Sequence, residues 1–185
     1  MIAERLSAFG AIVARSVPNP ALRNAIVVAA IIFLASLLGI WTRSAGALAS
    51  LWPANAILLG LMARRPDLAR PVGWAGATVG YVAADLLTGG GLLVTLLLTI
   101  GNLVGVGVGY LLYLRGHEDD RRLARPSSLL YLLGVACAAA ASAGVIGAIL
   151  NPILFGKSAL GGWVSWFAIE LAGYISILPA VLCAP

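Results

Sequence analysis

The chain has 185 residues, of which 61% are hydrophobic and only 10% are charged, and its formal net charge is +5. A water-soluble domain of this size has too much surface for its volume to hide so many apolar side chains. The composition therefore excludes an ordinary soluble domain and predicts an integral membrane protein.

The N-terminal segment, residues 1–21, differs from the rest because a few charged residues are mixed with its apolar ones. Glu4, Arg5 and Arg15 stand among apolar residues at a spacing typical of a short amphipathic helix on the membrane surface. Pro18 and Pro20 are expected to end this helix. We expect a cytoplasmic juxtamembrane segment here, followed by one polytopic membrane domain over 22–185.

Six apolar stretches make up that domain. A bilayer core of roughly 30 Å needs about 20 helical residues, and the stretches are of about this length. They cover approximately 22–41, 47–62, 71–87, 91–114, 128–150 and 161–183. Trp52-Pro53 interrupts the second stretch early, and Asn151-Pro152 is expected to close the fifth. The pattern predicts an all-α bundle of about six transmembrane helices.

The basic residues are distributed asymmetrically between the loops. Only Arg43 and Lys157 fall on one side of the six spans, whereas the other ten fall on the opposite side: Arg5, Arg15, Arg23, Arg64, Arg65, Arg70, Arg115, Arg121, Arg122 and Arg125. Because basic loops stay in the cytoplasm, both termini are predicted to be cytoplasmic. The positive charge favours contact with anionic lipid headgroups over nucleic acid, since no basic run carries interleaved stacking aromatics.

Small residues recur at every fourth position in several spans, which places each set on one helix face. Close backbone contact is what brings helices together in lipid, so these residues are interpreted as packing surfaces. The main positions are Gly76, Gly80, Gly101, Gly105, Gly109, Ala140 and Gly144, together with Ala21, Ala25 and Ala29 in the first span. The combination predicts a tight bundle without a wide aqueous pore.

Two polar residues lie near the middle of their spans, Asn102 in the fourth and Glu170 in the sixth. Ionisable groups in a membrane are costly and often functional. If the two spans face each other, Asn102 is positioned to donate a hydrogen bond to the Glu170 carboxyl group. The pair is either a structural interhelical hydrogen bond or part of a ligand or proton site.

Two further polar residues lie nearer the outer ends of their spans. Asp85 precedes the turn Thr88–Gly91, and Asn55 follows Trp52-Pro53. Arg43 has a similar expected depth. These residues either line an outward-open vestibule, or Asp85 simply pairs with Arg43. Asn55, Asp85, Asn102 and Glu170 are thus the candidate ligand-binding residues, and the pattern offers no catalytic or metal site and no cofactor motif.

Three local patterns resemble a known family when they are taken in order. They are Leu51–Ala56 with its Trp52-Pro53 pair, Gly101-Asn102, and Trp166 followed by Glu170, Gly173 and Pro179. Together they are similar to the membrane-associated sensor domain of the first type, over roughly 41–185. The family often has Gly at the position of Ala56 and usually Asp at that of Glu170.

This resemblance implies a sensory domain in the inner membrane of a bacterium. Such a domain responds to a ligand or membrane stimulus and passes helix repacking to a cytoplasmic module, in cis or in trans. In the family these modules are histidine kinases or enzymes of cyclic-di-GMP metabolism, and dimerisation is expected with them. The membrane part itself is not expected to be an enzyme, so a catalytic output would lie beyond Pro185 or on another protein.

Two other functions remain open at this stage. Six spans and the alanine stripe of the first span resemble the substrate-binding subunits of energy-coupling-factor vitamin transporters, in which the stripe would contact a partner subunit. The chain has few polar side chains for a hydrophilic solute, however. The second alternative is an accessory subunit of a larger membrane complex.

Overall fold

The computed structural model describes residues 19–42 and 51–184, and the regular structure of these residues is entirely helical. The helices are α1 (Pro20–Trp41), α2 (Pro53–Arg64), α3 (Pro71–Leu87), α4 (Leu92–Arg115), α5 (Glu118–Arg121), α6 (Pro126–Phe155) and α7 (Ala159–Cys183). The all-α prediction is confirmed for this part of the chain. Most of the predicted amphipathic segment, as well as Arg43 and Pro185, lies outside the described residues.

Four of these helices, and not six, are long and apolar enough to cross a membrane: α1, α4, α6 and α7. The prediction of six spans was wrong because α2 has 12 residues and α3 has 17. At 1.5 Å per residue they are about 18 Å and about 26 Å long, shorter than a bilayer core of about 30 Å. Both nevertheless pack among the long helices.

The helix boundaries follow local sequence signals. Prolines occupy the first positions of α1, α2, α3 and α6, where their missing N–H group costs no hydrogen bond. The predicted end of the fifth span at Asn151-Pro152 was wrong, because α6 continues to Phe155. Gly156 ends it instead, with a φ of 62° that glycine adopts without strain. Gly162 of α7 packs against Asn151, which supports the last turn of α6 around its internal proline.

Helices α1 and α3 approach each other backbone to backbone. A Cβ atom at Gly76 would overlap the carbonyl oxygen of Ala25, and one at Gly80 would lie 2.6 Å from the carbonyl oxygen of Ala29. The small-residue stripes of the two helices therefore pack against each other. The alanine stripe of the first span is thus used within the bundle itself.

Helices α4, α6 and α7 pack through glycines as well, against alanines and against aromatic rings. Gly105 and Gly109 of α4 contact Ala143 and Ala139 of α6, and Ala140 between them is fully buried. The predicted packing positions Gly101 and Gly144 contact the indole rings of α7: Trp166 lies against Gly101 and Trp163 against Gly144. Small residues here make room for aromatic rings.

The two ends of the bundle differ in charge. Hydrogen bonds from Asn24 to Asp67, and from the Arg64 guanidinium to the carbonyl oxygen of Val181, join the start of α1, the α2–α3 loop and the end of α7 at one end. We call this the arginine-rich end, since it holds eight of the nine basic residues that the structure describes. Lys157 belongs to the opposite end, which we call the Asp85 end.

Candidate functional site: a buried polar cluster

Four polar side chains meet in the middle of the bundle, one each from α2, α3, α4 and α7. We call them the polar cluster: Asn55, Tyr81, Asn102 and Glu170, which are 0%, 3%, 8% and 5% exposed. Asn55 lies at its centre. Its amide nitrogen donates to Glu170 Oε1 at 2.8 Å and to Asn102 Oδ1 at 3.2 Å, and its amide oxygen accepts from the Tyr81 hydroxyl at 2.5 Å.

The cluster contains three of the four candidate residues predicted from sequence, but it connects them differently. The expected hydrogen bond from Asn102 to Glu170 is not formed. Instead, both residues accept hydrogen bonds from Asn55. Asn55 does not line an outward-open vestibule with Asp85, because it is fully buried. A proposed pairing of Asp85 with Arg43 involves a residue outside the described part of the chain.

The depth of Asn55 follows from the way α2 begins. The Trp52 ring packs where a Cβ of Gly39 would be, at 2.6 Å, and the Trp52 carbonyl oxygen would lie 2.5 Å from a Cβ of Gly173. Trp52 is thereby wedged between α1 and α7, and Pro53 starts α2 inside the bundle. Asn55 then lies nine residues, or about 14 Å, before the arginine-rich end of α2, a depth at which it meets Glu170.

Two buried oxygen atoms at the cluster have no hydrogen-bond partner within 19–42 and 51–184. They are Glu170 Oε2 and the hydroxyl of Tyr174. Tyr174 is one helical turn beyond Glu170, is 1% exposed and lies within electrostatic reach of its carboxyl group. Buried polar atoms without partners are rare in folded proteins and need an explanation. The cluster is therefore incompletely satisfied on its α7 side.

A narrow crevice connects the cluster with the Asp85 end of the bundle. It has a volume of about 20 Å³, room for one water molecule. Its walls are formed by Ile40, Trp52, Tyr81, Asp85, Thr95, Leu98, Thr99 and Asn102. At its outer part the Thr95 hydroxyl donates to Asp85 Oδ2 at 2.8 Å. Asp85, predicted as a site residue, is thus linked to the cluster along this crevice and not by direct contact.

Sequence reasoning missed Tyr81, Thr95, Thr99 and Tyr174. A signal was present for the threonines, because positions 95, 99 and 102 follow the i, i+4, i+7 spacing of one helix face. A second signal was the position of Tyr81. It falls in the middle of its apolar stretch, away from the headgroup level where tyrosines of membrane proteins are enriched.

The residues of the three family-like patterns contact one another across the bundle. Gly101 packs against Trp166, and the Trp52 carbonyl packs against Gly173, as described above. Pro179 lies in the interior of α7, where it removes one backbone hydrogen bond.

In chemical terms the site offers a carboxyl group, two amides and phenol hydroxyls. Within the described residues no group of three His, Cys, Asp or Glu side chains is arranged to hold a metal ion.

Comparison with known proteins gives one distant relative. Over 164 residues the chain is 27% identical to the probable diguanylate cyclase DgcF of Escherichia coli O157:H7. The aligned region covers 87% of this chain and 34% of the relative, so the chain spans about a third of that protein's length. No family model and no solved structure matches the chain. The distant similarity and the four apolar helices fit a membrane signalling input domain.

Proposed function

We propose that the chain is a membrane-associated sensor domain of the first type, and that it controls an output module that forms cyclic-di-GMP. The observation that carries the proposal is the polar cluster, because a single amide, that of Asn55, joins three other helices including the last one. The similarity to a probable diguanylate cyclase over most of the chain supports the nature of the output.

The cluster provides a physical basis for a switch. Glu170 on α7 is held by one hydrogen bond to Asn55 and retains an unpartnered oxygen. A ligand or a proton that satisfies this oxygen stabilises one packing of α7 over another. Such a stimulus shifts the population only through unequal affinity for the two packings, and small helix shifts are the expected movement.

The direction of signalling follows from charge. Basic residues are retained on the cytoplasmic side, so we place the arginine-rich end there. The C-terminal end of α7 then emerges in the cytoplasm, where an output module would follow in cis or bind in trans. Arg64 of α2 donates to the carbonyl oxygen of Val181, which couples the end of α7 to the helix that carries Asn55.

The structure gives less support to a small-solute carrier. The alanine stripe that would contact a transporter subunit packs against Gly76 and Gly80 of α3. The crevice at the polar cluster has room for a water molecule and not for a vitamin. The sensory proposal needs neither a free stripe nor a large cavity.

The test joins the chain at Pro185 to a diguanylate cyclase module and measures cyclic-di-GMP in cells. Glu170→Gln keeps an acceptor for Asn55 but cannot change its charge, and it should shift the amount of cyclic-di-GMP severalfold at unchanged protein level. Val164→Ala, at a half-exposed position of the same helix, is the matched control and should leave it unchanged. Equal cyclic-di-GMP in wild type and Glu170→Gln, at equal expression, would refute the proposal.

A further inference from the structure

The crevice on the Asp85 side has a polar lining along one face of α4. Thr95, Thr99 and Asn102 lie on one face of α4 and are 1%, 4% and 8% exposed. Elsewhere the four span-length helices are predominantly apolar. These three hydrogen-bonding side chains face a space with room for one water molecule.

The crevice is linked to a carboxyl oxygen that lacks a hydrogen-bond partner. Asn102 both lines the crevice and accepts from Asn55, the residue that also donates to Glu170 Oε1. The second carboxyl oxygen, Oε2, has no hydrogen-bond partner in the described structure. Asn102 and Tyr81, which line the crevice, are thus joined to the carboxyl group through Asn55.

We propose that the Glu170 carboxyl group exchanges protons with water at the Asp85 end, through the threonine-lined crevice, when the Asn102 side chain turns aside. The inference rests on the sensory function proposed above and names its stimulus as protons from the outer aqueous phase. In the uptake step a hydronium ion in the crevice transfers a proton to Oε2. An O–H bond forms on the carboxyl group, one O–H bond of the hydronium breaks, and a water molecule remains.

Few other groups can take part in this titration. Two titratable side chains face Glu170, the phenols of Tyr81 from α3 and Tyr174 from α7 itself, and both are much weaker acids than a carboxyl group. The other two, Asn55 from α2 and Asn102 from α4, are amides that do not titrate. Helix α6, which also packs against α7, has no acidic or basic residue between Pro126 and Phe155. Asp85 is the carboxyl group that lines the crevice itself, at its outer part.

The two protonation states favour different partners for the carboxyl group. A carboxylate only accepts hydrogen bonds and suits the Asn55 amide as donor, whereas the protonated form can also donate. Tyr174, one turn along α7 and itself unpartnered, is a hydroxyl acceptor within electrostatic reach. Proton uptake would therefore move hydrogen bonding from the α2 side of Glu170 towards its own helix and loosen the contact between α2 and α7.

The experiment uses infrared difference spectroscopy on the chain reconstituted in liposomes with known orientation. The carboxyl band that disappears in Glu170→Gln is assigned to Glu170. We expect this band to respond to a pH change on the Asp85 side and not on the arginine-rich side. Thr99→Val keeps the shape of the side chain but removes one hydroxyl from the crevice, and it should slow the response about tenfold, as for one lost hydrogen bond to a charged species.

Thr78→Val is the matched control, because the Thr78 hydroxyl donates to the Trp74 carbonyl oxygen of its own helix and lies outside the crevice. Its response rate should equal that of the unmodified protein. A Glu170 band that ignores the Asp85 side, or that follows pH on the arginine-rich side, would overturn the inference. That outcome leaves the cyclic-di-GMP assay free to succeed, whereas a proton-responsive Glu170 with unchanged cyclic-di-GMP would overturn the sensory function alone.

Discussion

The polar cluster and the arginine-rich end contain the main polar interactions of the described bundle, and they differ in burial. At the arginine-rich end Arg65 pairs with Asp67, and Arg122 with Glu118, through side chains that are 44–74% exposed. In the polar cluster every member is less than 9% exposed, and Glu170 is its one ionisable carboxyl group. The arginine-rich end has many charges in contact with water, whereas the polar cluster has a small number of polar atoms that are shielded from water.

This difference shows why the count of charges is a poor guide to importance in this protein. Exposed ion pairs contribute little because water and salt screen them. A buried amide such as that of Asn55 has no water to replace its partners, so each of its hydrogen bonds matters for stability. The exposed pairs of the arginine-rich end therefore contribute little to stability, whereas the polar cluster is a determinant of helix packing.

The largest effect is expected from replacing the asparagine at the centre of the polar cluster by leucine. Asn55→Leu removes the donor to Glu170 and Asn102 and the acceptor of Tyr81, which leaves three buried polar groups without their partner. We expect a loss of about 3 kcal/mol or more in the free energy of unfolding. Unfolding in detergent micelles, followed by tryptophan fluorescence, measures this loss.

Asn24→Leu is the control at the arginine-rich end, where the Asn24 amide makes only long contacts of 3.5 Å with Asp67. A change within about 0.5 kcal/mol is expected there, because the side chain is only partly buried and its two contacts are long. If the two asparagines cost the same, the contrast between buried and exposed polar regions is wrong.

A smaller effect is expected from Tyr81→Phe, which removes one hydroxyl from the cluster and leaves the other bonds of Asn55 in place. The loss should be about 1 kcal/mol, the value of one hydrogen bond. Tyr131→Phe, compared in the same unfolding assay, removes a hydroxyl that donates to the carbonyl oxygen of Leu112 near the arginine-rich end. A greater loss for Tyr131→Phe than for Tyr81→Phe would show that burial does not decide the value of these hydrogen bonds.

The sequence predicted the features that depend on composition along a single helix. The apolar runs of α1, α4, α6 and α7 exceed the length that a bilayer needs, so their existence follows from counting residues. The glycine stripes also predicted contact, since only close backbone approach explains Gly76 and Gly80. Asn102 and Glu170 were identified because polar groups are rare at mid-span.

What the sequence did not predict depends on how separate helices are placed. Asn55 was assigned to an outer vestibule because its distance from the end of an assumed full span was used to estimate its depth. The wedge of Trp52 between Gly39 and Gly173 shortens α2 and carries Asn55 inward. Tyr81 was missed for a related reason: the hydrogen-bond acceptor of its hydroxyl is an amide on another helix, 26 residues earlier in the chain.

The smallest effect is expected at the Arg65–Asp67 pair of the arginine-rich end. The hydrogen bond from Arg65 holds the pKa of the Asp67 carboxyl group below its ordinary value. A carboxyl group with a lowered pKa in the folded state stabilises the protein above its unfolded-state pKa of about 4 and loses this contribution as pH falls through the folded-state value. Because both side chains are largely exposed, screening reduces the contribution to about 0.3 kcal/mol. Unfolding measured between neutral pH and acid should therefore differ only slightly between the unmodified protein and Asp67→Asn. A loss of stability at neutral pH as large as that of Asn55→Leu would contradict the conclusion that exposed ion pairs contribute less than the buried polar cluster.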